Sequence, residues 1–314
     1  METPVVLLGC ESGNVIYLKR DDLFPFSFGG NKARITRKYF ESIDGDGYDS
    51  VVTYGGPASN LCRAVASAAA QRGLPCIAVM HGEEPRDPVP FNLQLVRLSG
   101  ARTVFCPVSQ VSAAVDAALE RLRVEGRRPF FIPGGGQGAP GTQAYLECYD
   151  EILAYEDRVG AAFDYLFLPS GTGTTQSGLV CGKLLRGGAG KIVGVSIART
   201  AERGRGVILR NVRDFFAEKG VPVSDEAVED AVLFEDGYTG GGYGKGDYTD
   251  TIARIRKEYA VAFDNTYTAK AFAGMEAYLK SHGITGQRVL FLHTGSAPLF
   301  FDCLRRESHG RGER

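Results

Sequence analysis

Ser170-Gly171-Thr172-Gly173-Thr174-Thr175 follows a continuous apolar run, Tyr165-Leu166-Phe167-Leu168, and leads into a helix-forming stretch. Small residues at such a place let backbone N–H groups converge on an anion, and the helix start adds a favourable dipole. The hydroxyls of Thr172, Thr174 and Thr175 add donors, which suits a phosphate. The segment lacks the Lys-Ser/Thr pair of a Walker A loop and is not a GxGxxG dinucleotide loop. Its plain alternative is a tight strand-to-helix turn with threonine caps. Lys32 is the second candidate. It follows Phe28-Gly29-Gly30-Asn31 and opens a helix-like stretch from Ala33 to Ile43. An ordinary lysine points into solvent. Here two glycines bring the backbone close to something. A lysine held in a pocket forms a Schiff base with a carbonyl, so an anion loop together with such a lysine suggests pyridoxal phosphate.

Strands alternating with helices must position these groups. Val51–Tyr54, Cys76–Met80, Thr103–Cys106, Phe130–Pro133, Tyr165–Leu168, Ile192–Ile197 and Val289–His293 read as strands. Ser59–Arg72, Phe91–Leu98, Ala113–Val124, Thr142–Tyr155 and Ala201–Lys219 read as helices. The alternation predicts an α/β protein with parallel sheets. In such sheets ligands bind beyond the carboxyl ends of the strands. Gly29–Lys32, Gly55–Asn60, Gly134–Gly138 and Ser170–Thr175 all sit at such places. The tail Glu307–Arg314 is polar and is expected to fray.

Composition narrows the class. The 314 residues correspond to about two domains at ~150 residues each. Lys+Arg 36 against Asp+Glu 37 leaves a net charge of -1, without the basic footprint of a nucleic-acid or membrane-surface binder. No apolar run approaches the ~20 residues of a membrane helix, and the first residues do not read as a signal peptide. Seven scattered cysteines with no CxxC pair read as reduced, mostly buried thiols of a cytoplasmic protein. Neither they nor the four histidines form a metal-spaced cluster, so no metal site is expected.

Lys19-Arg20-Asp21-Asp22-Leu23 followed by Gly29-Gly30-Asn31-Lys32 resembles the cofactor-lysine segment of the fold type II pyridoxal-phosphate enzymes. The sequence is most similar to the D-cysteine desulfhydrase / 1-aminocyclopropane-1-carboxylate deaminase family. Ser59-Asn60, Ser170–Thr175 running into Gln176-Ser177-Gly178, Gly242-Tyr243-Gly244, Thr266–Ala271 and His293-Thr294-Gly295 follow in that family's order. The resemblance implies pyridoxal 5'-phosphate as cofactor, held covalently by Lys32, which then moves protons at the substrate Cα. It implies that Asn60 meets the cofactor's 3-hydroxyl and that Gly171, Thr172, Gly173, Thr174 and Thr175 bind its phosphate. Ser59 and neighbouring N–H groups would hold the substrate carboxylate. Tyr267 would lie against the ring or transfer protons, with Tyr243 nearby. Without the motif, either tyrosine would read as a buried aromatic with a satisfied hydroxyl. His293 reads as structural.

Within that family the deaminase has Glu after the motif tyrosine and Leu in the histidine turn, whereas the desulfhydrase has small hydroxyl residues at both. This chain has Thr268 and Thr294. A carboxylate near the pyridine nitrogen favours its protonated form and a deeper electron sink. β-Elimination of a good leaving group proceeds with a weaker one, so the cyclopropane deaminase is disfavoured. Three departures from the family pattern cluster near the inferred substrate pocket: Leu61 where the family has His or Gln, Gly135-Gly136-Gln137-Gly138, and the glycine-dense 240–244 segment. Leu61 and Gln137 therefore join Ser59 and Asn60 as expected substrate contacts.

The resemblance implies two open parallel-sheet domains of unequal size, like the tryptophan synthase β chain, with the cofactor in the cleft. The larger would be residues 1–34 plus 146–314, the smaller 35–145. The implied reaction is α,β-elimination from a small amino acid with a β-leaving group, giving pyruvate, ammonia and sulfide. β-Replacement, racemisation and serine dehydration remain open alternatives, as does a cofactor-binding protein without catalysis. A homodimer is what the family suggests.

Overall fold

The computed structural model describes residues 1–310, with side chains to Arg305. Two sheets form. The larger has the order β1-β2-β10-β7-β8-β9, built from Val5–Glu11 (β1), Asn14–Lys19 (β2), Tyr165–Ser170 (β7), Lys191–Ser196 (β8), Leu233–Glu235 (β9) and Arg288–Leu292 (β10). The smaller has the order β5-β4-β3-β6, built from Ser50–Gly55 (β3), Cys76–His81 (β4), Arg102–Cys106 (β5) and Pro129–Ile132 (β6). The small sheet is wholly parallel. The large one is parallel except for β1, which pairs antiparallel with β2 at the sheet edge. The sequence reading passes over this hairpin although Val5-Val6-Leu7-Leu8 is a continuous apolar run; at the sheet edge that run is only partly buried.

Helices cover both faces, as a doubly wound sheet requires. On the small sheet, α4 (Val111–Val124) packs Val115, Ala118 and Leu122 against Val52, Ile77 and Val79. Its other face meets α1 (Asn31–Asp46) and α2 (Asn60–Gln71), whose apolar residues run into one core with α5 (Ala139–Val159) and α6 (Thr174–Arg186). On the far face of the large sheet, α9 (Thr249–Tyr259) and α10 (Thr268–Ser281) contribute Ile252, Ile255, Phe272 and Met275. The helices α3 (Phe91–Leu98), α7 (Ala201–Lys219), α8 (Asp225–Ala231) and α11 (Ala297–Gly310) complete the set. The last corrects one expectation: residues 307–310 are helical rather than frayed, and 311–314 lie outside the described residues.

The expected domain boundaries at 34/35 and 145/146 fall inside α1 and α5. These two helices pack on each other and connect the sheets. A buried charge network locks them. The Arg34 guanidinium pairs with Asp21 at 2.9 Å and Glu151 at 2.6 Å. Glu151 also takes the Lys19 ammonium at 2.6 Å, and Asp21 accepts from the hydroxyls of Thr3 and Tyr145, each at 2.6 Å. Burial alone would push the Asp21 carboxyl up; the Arg34 guanidinium beside it holds it below its ordinary value. Against α5, Gly178 and Gly182 of α6 leave no room for a Cβ, which would strike Tyr145 and Tyr149. That close approach holds the start of α6 against α5.

Removing one partner from a buried ion cluster leaves the others uncompensated. Arg34→Met should lower the stability of the cofactor-free protein by about 3–5 kcal/mol in urea unfolding. A loss below about 1 kcal/mol would mean the network is not holding the two helices.

Candidate active site

Lys32 is the second residue of α1, and the turn before it determines where its amine goes. Gly29 and Gly30 have φ of +64° and +87°. A Cβ on Gly30 would lie 2.5 Å from the Thr294 carbonyl oxygen, and one on Gly295 would strike the Gly30 Cα. Only glycines permit this back-to-back contact. The Asn31 N–H donates to the Thr294 carbonyl at 2.9 Å, which fixes α1 to the end of β10. The Lys32 ammonium then reaches the Gly135 carbonyl at 2.7 Å. Burial pushes its pKa down to about 8.

The 170–175 segment forms a cradle between β7 and α6. Gly173, with φ +87°, is the N-cap of α6. The buried hydroxyls of Ser170 and Thr174 have no hydrogen-bond partner. A side chain at Gly171 would press on Ile197, and one at Gly173, where φ is +87°, would be strained as well as press on Ile208. Orphaned buried hydroxyls beside open backbone N–H groups at a helix start fit a phosphate dianion. The cradle and the lysine are adjacent: Asn31 donates to the Thr175 hydroxyl at 3.0 Å, and a Cβ on Gly135 would collide with Thr172.

Asn60 and Ser59 open α2. Ser59 is the N-cap; its hydroxyl oxygen accepts from the Cys62 N–H at 3.2 Å, leaving its O–H to donate. The Asn60 amide is held on both sides, donating to the Ser296 hydroxyl at 2.8 Å and accepting from Asn92 at 3.0 Å. Asn92 in turn accepts from Arg63 at 2.9 Å. Asn92 and Ser296 escaped the sequence reading because neither belongs to a motif, and Ser296 lies 236 residues from Asn60.

Three further residues sit differently from their expected roles. Leu61 is 2% exposed and belongs to the core, with its side chain beneath Gly136 beside Ile35. It points there because the first turn of α2 presents that position to the interior, so its replacement of a polar residue alters a floor rather than an open wall. The Gln137 side chain donates to the Thr172 carbonyl at 3.2 Å, and its backbone carbonyl accepts from the Tyr39 hydroxyl. It thus ties the 134–138 turn to the cradle. The Thr268 hydroxyl is fully buried and donates to the Asp264 carboxylate at 2.9 Å. Asp264 also accepts from the N–H groups of Thr266, Tyr267 and Thr268, capping α10. A carboxylate three residues before a tyrosine at a helix start is a capping signal that could have been read. Burial pushes the Asp264 carboxyl up.

The Tyr243 and Tyr267 hydroxyls are 2.9 Å apart, their rings edge to face at 5.9 Å. Burial, together with the neighbouring phenol, pushes the Tyr267 hydroxyl well up. Thr294 sits in the turn against Gly30. The adjacent His293 is structural: one ring nitrogen accepts from the Gly295 N–H at 3.2 Å, and the other lies 3.1 Å from the Ala262 carbonyl.

An α/β cleft with a depressed lysine amine beside an anion cradle defines a pyridoxal-phosphate enzyme of fold type II. The family model for pyridoxal-phosphate dependent enzymes matches residues 2–295, and the chain belongs to that family. It is 31% identical over 297 residues to the 1-aminocyclopropane-1-carboxylate deaminase of Ralstonia nicotianae, covering 90% of this chain and 87% of that one. It is 29% identical over 297 residues to the D-cysteine desulfhydrase of Yersinia enterocolitica, covering 92% and 88%. The crystal structure of an ACC deaminase homologue matches with a TM-score of 0.86 at 29% identity, covering 98% and 94%. O-ureido-L-serine synthase, at 21% identity and a TM-score of 0.66, shares the fold while covering 96% and 92%. The protein is a pyridoxal-phosphate-dependent lyase.

A neutral amine is the form that attacks a carbonyl. At pH 7 about a tenth of an amine with pKa near 8 is neutral, far more than for an ordinary lysine. Uptake of pyridoxal phosphate by the cofactor-free protein, followed by visible absorbance, should accelerate with pH and level off just above about 8. A rate still climbing at about 10.5 would contradict the depressed amine.

Proposed function

We propose that this lyase carries out α,β-elimination on a small amino acid with a β-leaving group, in the manner of a D-cysteine desulfhydrase. D-Cysteine and water would give pyruvate, ammonia and hydrogen sulfide. The observation that carries this reading is the chemistry after the tyrosine motif. A threonine stands at 268, and the nearest carboxylate, Asp264, is saturated by one hydroxyl and three N–H donors. Neither Thr268 nor the saturated Asp264 therefore offers the free carboxylate that a ring-opening deaminase would need.

Each residue has a task in this reading. Lys32 carries the cofactor and, once displaced, takes the proton from the substrate Cα. When bound, pyridoxal phosphate supplies an electron sink for the charge left on that carbon. Gly171–Thr175 hold the phosphate, with the orphaned Ser170 and Thr174 hydroxyls as donors. Asn60, pre-oriented by Asn92 and Ser296, meets the cofactor's 3-hydroxyl. Thr268, its hydroxyl bound to Asp264, and Thr294 would border the ring nitrogen without supplying a carboxylate. Ser59 and the N–H groups opening α2 bind the substrate carboxylate. The tyrosine pair delivers a proton to the departing sulfur. Burial pushes the Tyr267 phenol well up, so it stays protonated at neutral pH and can donate. Gln137 holds the 134–138 turn against the cradle, and Leu61 packs beneath that turn.

A second reading, cyclopropane ring opening, draws on likeness to relatives named for that activity. One assay separates the two. The holoenzyme is offered D-cysteine, L-cysteine, D-serine, L-serine and 1-aminocyclopropane-1-carboxylate, with keto-acid and sulfide release followed. Pyruvate with equimolar sulfide from D-cysteine, at least about tenfold faster in kcat/KM than any other substrate, is expected. A four-carbon keto acid from the cyclopropane substrate as the dominant product would overturn the elimination reading.

A further inference from the structure

The segment from Gly237 to Gly246 joins β9 to α9 and contains six glycines among its ten residues. Five of them, Gly240, Gly241, Gly242, Gly244 and Gly246, adopt positive φ. Such a loop has little stiffness of its own, because glycine loses the most conformational freedom on ordering. Yet it carries Tyr243, which is 56% exposed and whose hydroxyl lies 2.9 Å from that of Tyr267. At its far end Asn265 holds the Gly246 carbonyl at 2.9 Å. Its middle is held by a lysine.

Lys270, in the first turn of α10, is 0% exposed. Its ammonium donates to three backbone carbonyls: Thr239 at 2.7 Å, Gly242 at 2.7 Å and Ile197 at 3.0 Å. Three protons meet three acceptors, so the charged form is fully satisfied. A neutral amine would turn its lone pair on one of those oxygens. Two of the bonds hold the loop, one at the residue immediately before Tyr243. The third goes to Ile197, whose side chain packs where a Gly171 Cβ would be, on the wall of the anion cradle. One side chain thus ties the tyrosine loop to the phosphate end of the site.

We propose that Lys270 is a positioning residue for turnover: it fastens the 237–246 loop to the cradle wall and thereby holds the Tyr243 hydroxyl against Tyr267. The catalytic half of this proposal rests on the proton-delivery role assigned above to the tyrosine pair. The fastening half does not.

Trypsin separates the two, because Lys245 lies exposed within the loop. In the holoenzyme, Lys270→Met keeps the length of the stem and removes the charge. Cleavage after Lys245 should rise about tenfold or more while the rest of the chain resists and the melting curve stays cooperative. The kcat should fall about tenfold with KM within about twofold. The loss should not add to that of Tyr243→Phe in the double variant. Lys270→Arg, which keeps the charge but presents a planar fork to three divergent carbonyls, should fall between and serves if the methionine variant does not fold. Unchanged cleavage after Lys245 in either folded variant overturns the fastening. Faster cleavage with additive kcat losses overturns the route through Tyr243. Full turnover by Tyr243→Phe would instead overturn the tyrosine reading, and the cleavage comparison, which needs no turnover, would still decide the fastening.

Discussion

The structure turns on a contact with no side chain in it. The Gly29-Gly30 turn lies against the Thr294-Gly295 backbone so closely that a Cβ on Gly30 or Gly295 would collide with the opposite chain. This contact joins the start of α1 to the end of β10, the central strand beside β2 and β7. It orients the first turn of α1 so that Asn31 meets Thr175 and Lys32 meets Gly135. A side chain at either glycine would wedge α1 away and separate the amine from the anion cradle. Asn31 and Thr175 stand 144 positions apart in sequence, and the bare glycine contact lets the lysine turn and the cradle meet.

Around that contact the fold spends polarity where it must and keeps it satisfied. Beneath α1, the Arg34, Asp21, Glu151 and Lys19 cluster is buried, and every charge has a partner. At the cleft the balance is different. The Lys32 amine is desolvated without a counter-charge among its hydrogen-bond partners, so its proton is loosely held. The Ser170 and Thr174 hydroxyls are buried without partners. Unsatisfied groups cost stability in the free protein and are compensated only when a ligand supplies what they lack. Two such hydroxyls, at the end of β7 and the start of α6, leave the cradle ready for a ligand that supplies their partners.

The sequence made the central architecture legible wherever one physical signal dominated. The apolar run at Tyr165–Leu168 and the helix at Phe91–Leu98 appear where expected. Glycine density singles out the 170–175 segment and Lys32 in the sequence, and the fold brings the two together through Asn31 and Thr175. What the sequence hid was cooperative. Asn60 is oriented by residues 32 and 236 positions away, which no local pattern reveals. β1 and α9 present partly buried surfaces whose periodicity is blurred. Leu61 was misjudged because adjacency to Ser59-Asn60 says nothing about the direction of its side chain, which the turn of α2 sends into the core. Thr268 was read as an isolated hydroxyl, although Asp264 engages it from one turn away.

Three lysines are largely or wholly withdrawn from solvent near the carboxyl ends of the large sheet's strands or in α1, and only one of them should carry the cofactor. Lys19 is committed to Glu151 and Thr3, and Lys270 to three carbonyls, whereas Lys32 makes a single hydrogen bond, to the Gly135 carbonyl beside the cradle. Borohydride reduction of the holoenzyme followed by peptide mass spectrometry locates the attachment directly. The pyridoxyl mass on Lys32, with Lys19 and Lys270 unmodified, is the predicted result. The same mass on Lys270 or Lys19 would contradict the account of how this cleft is assembled.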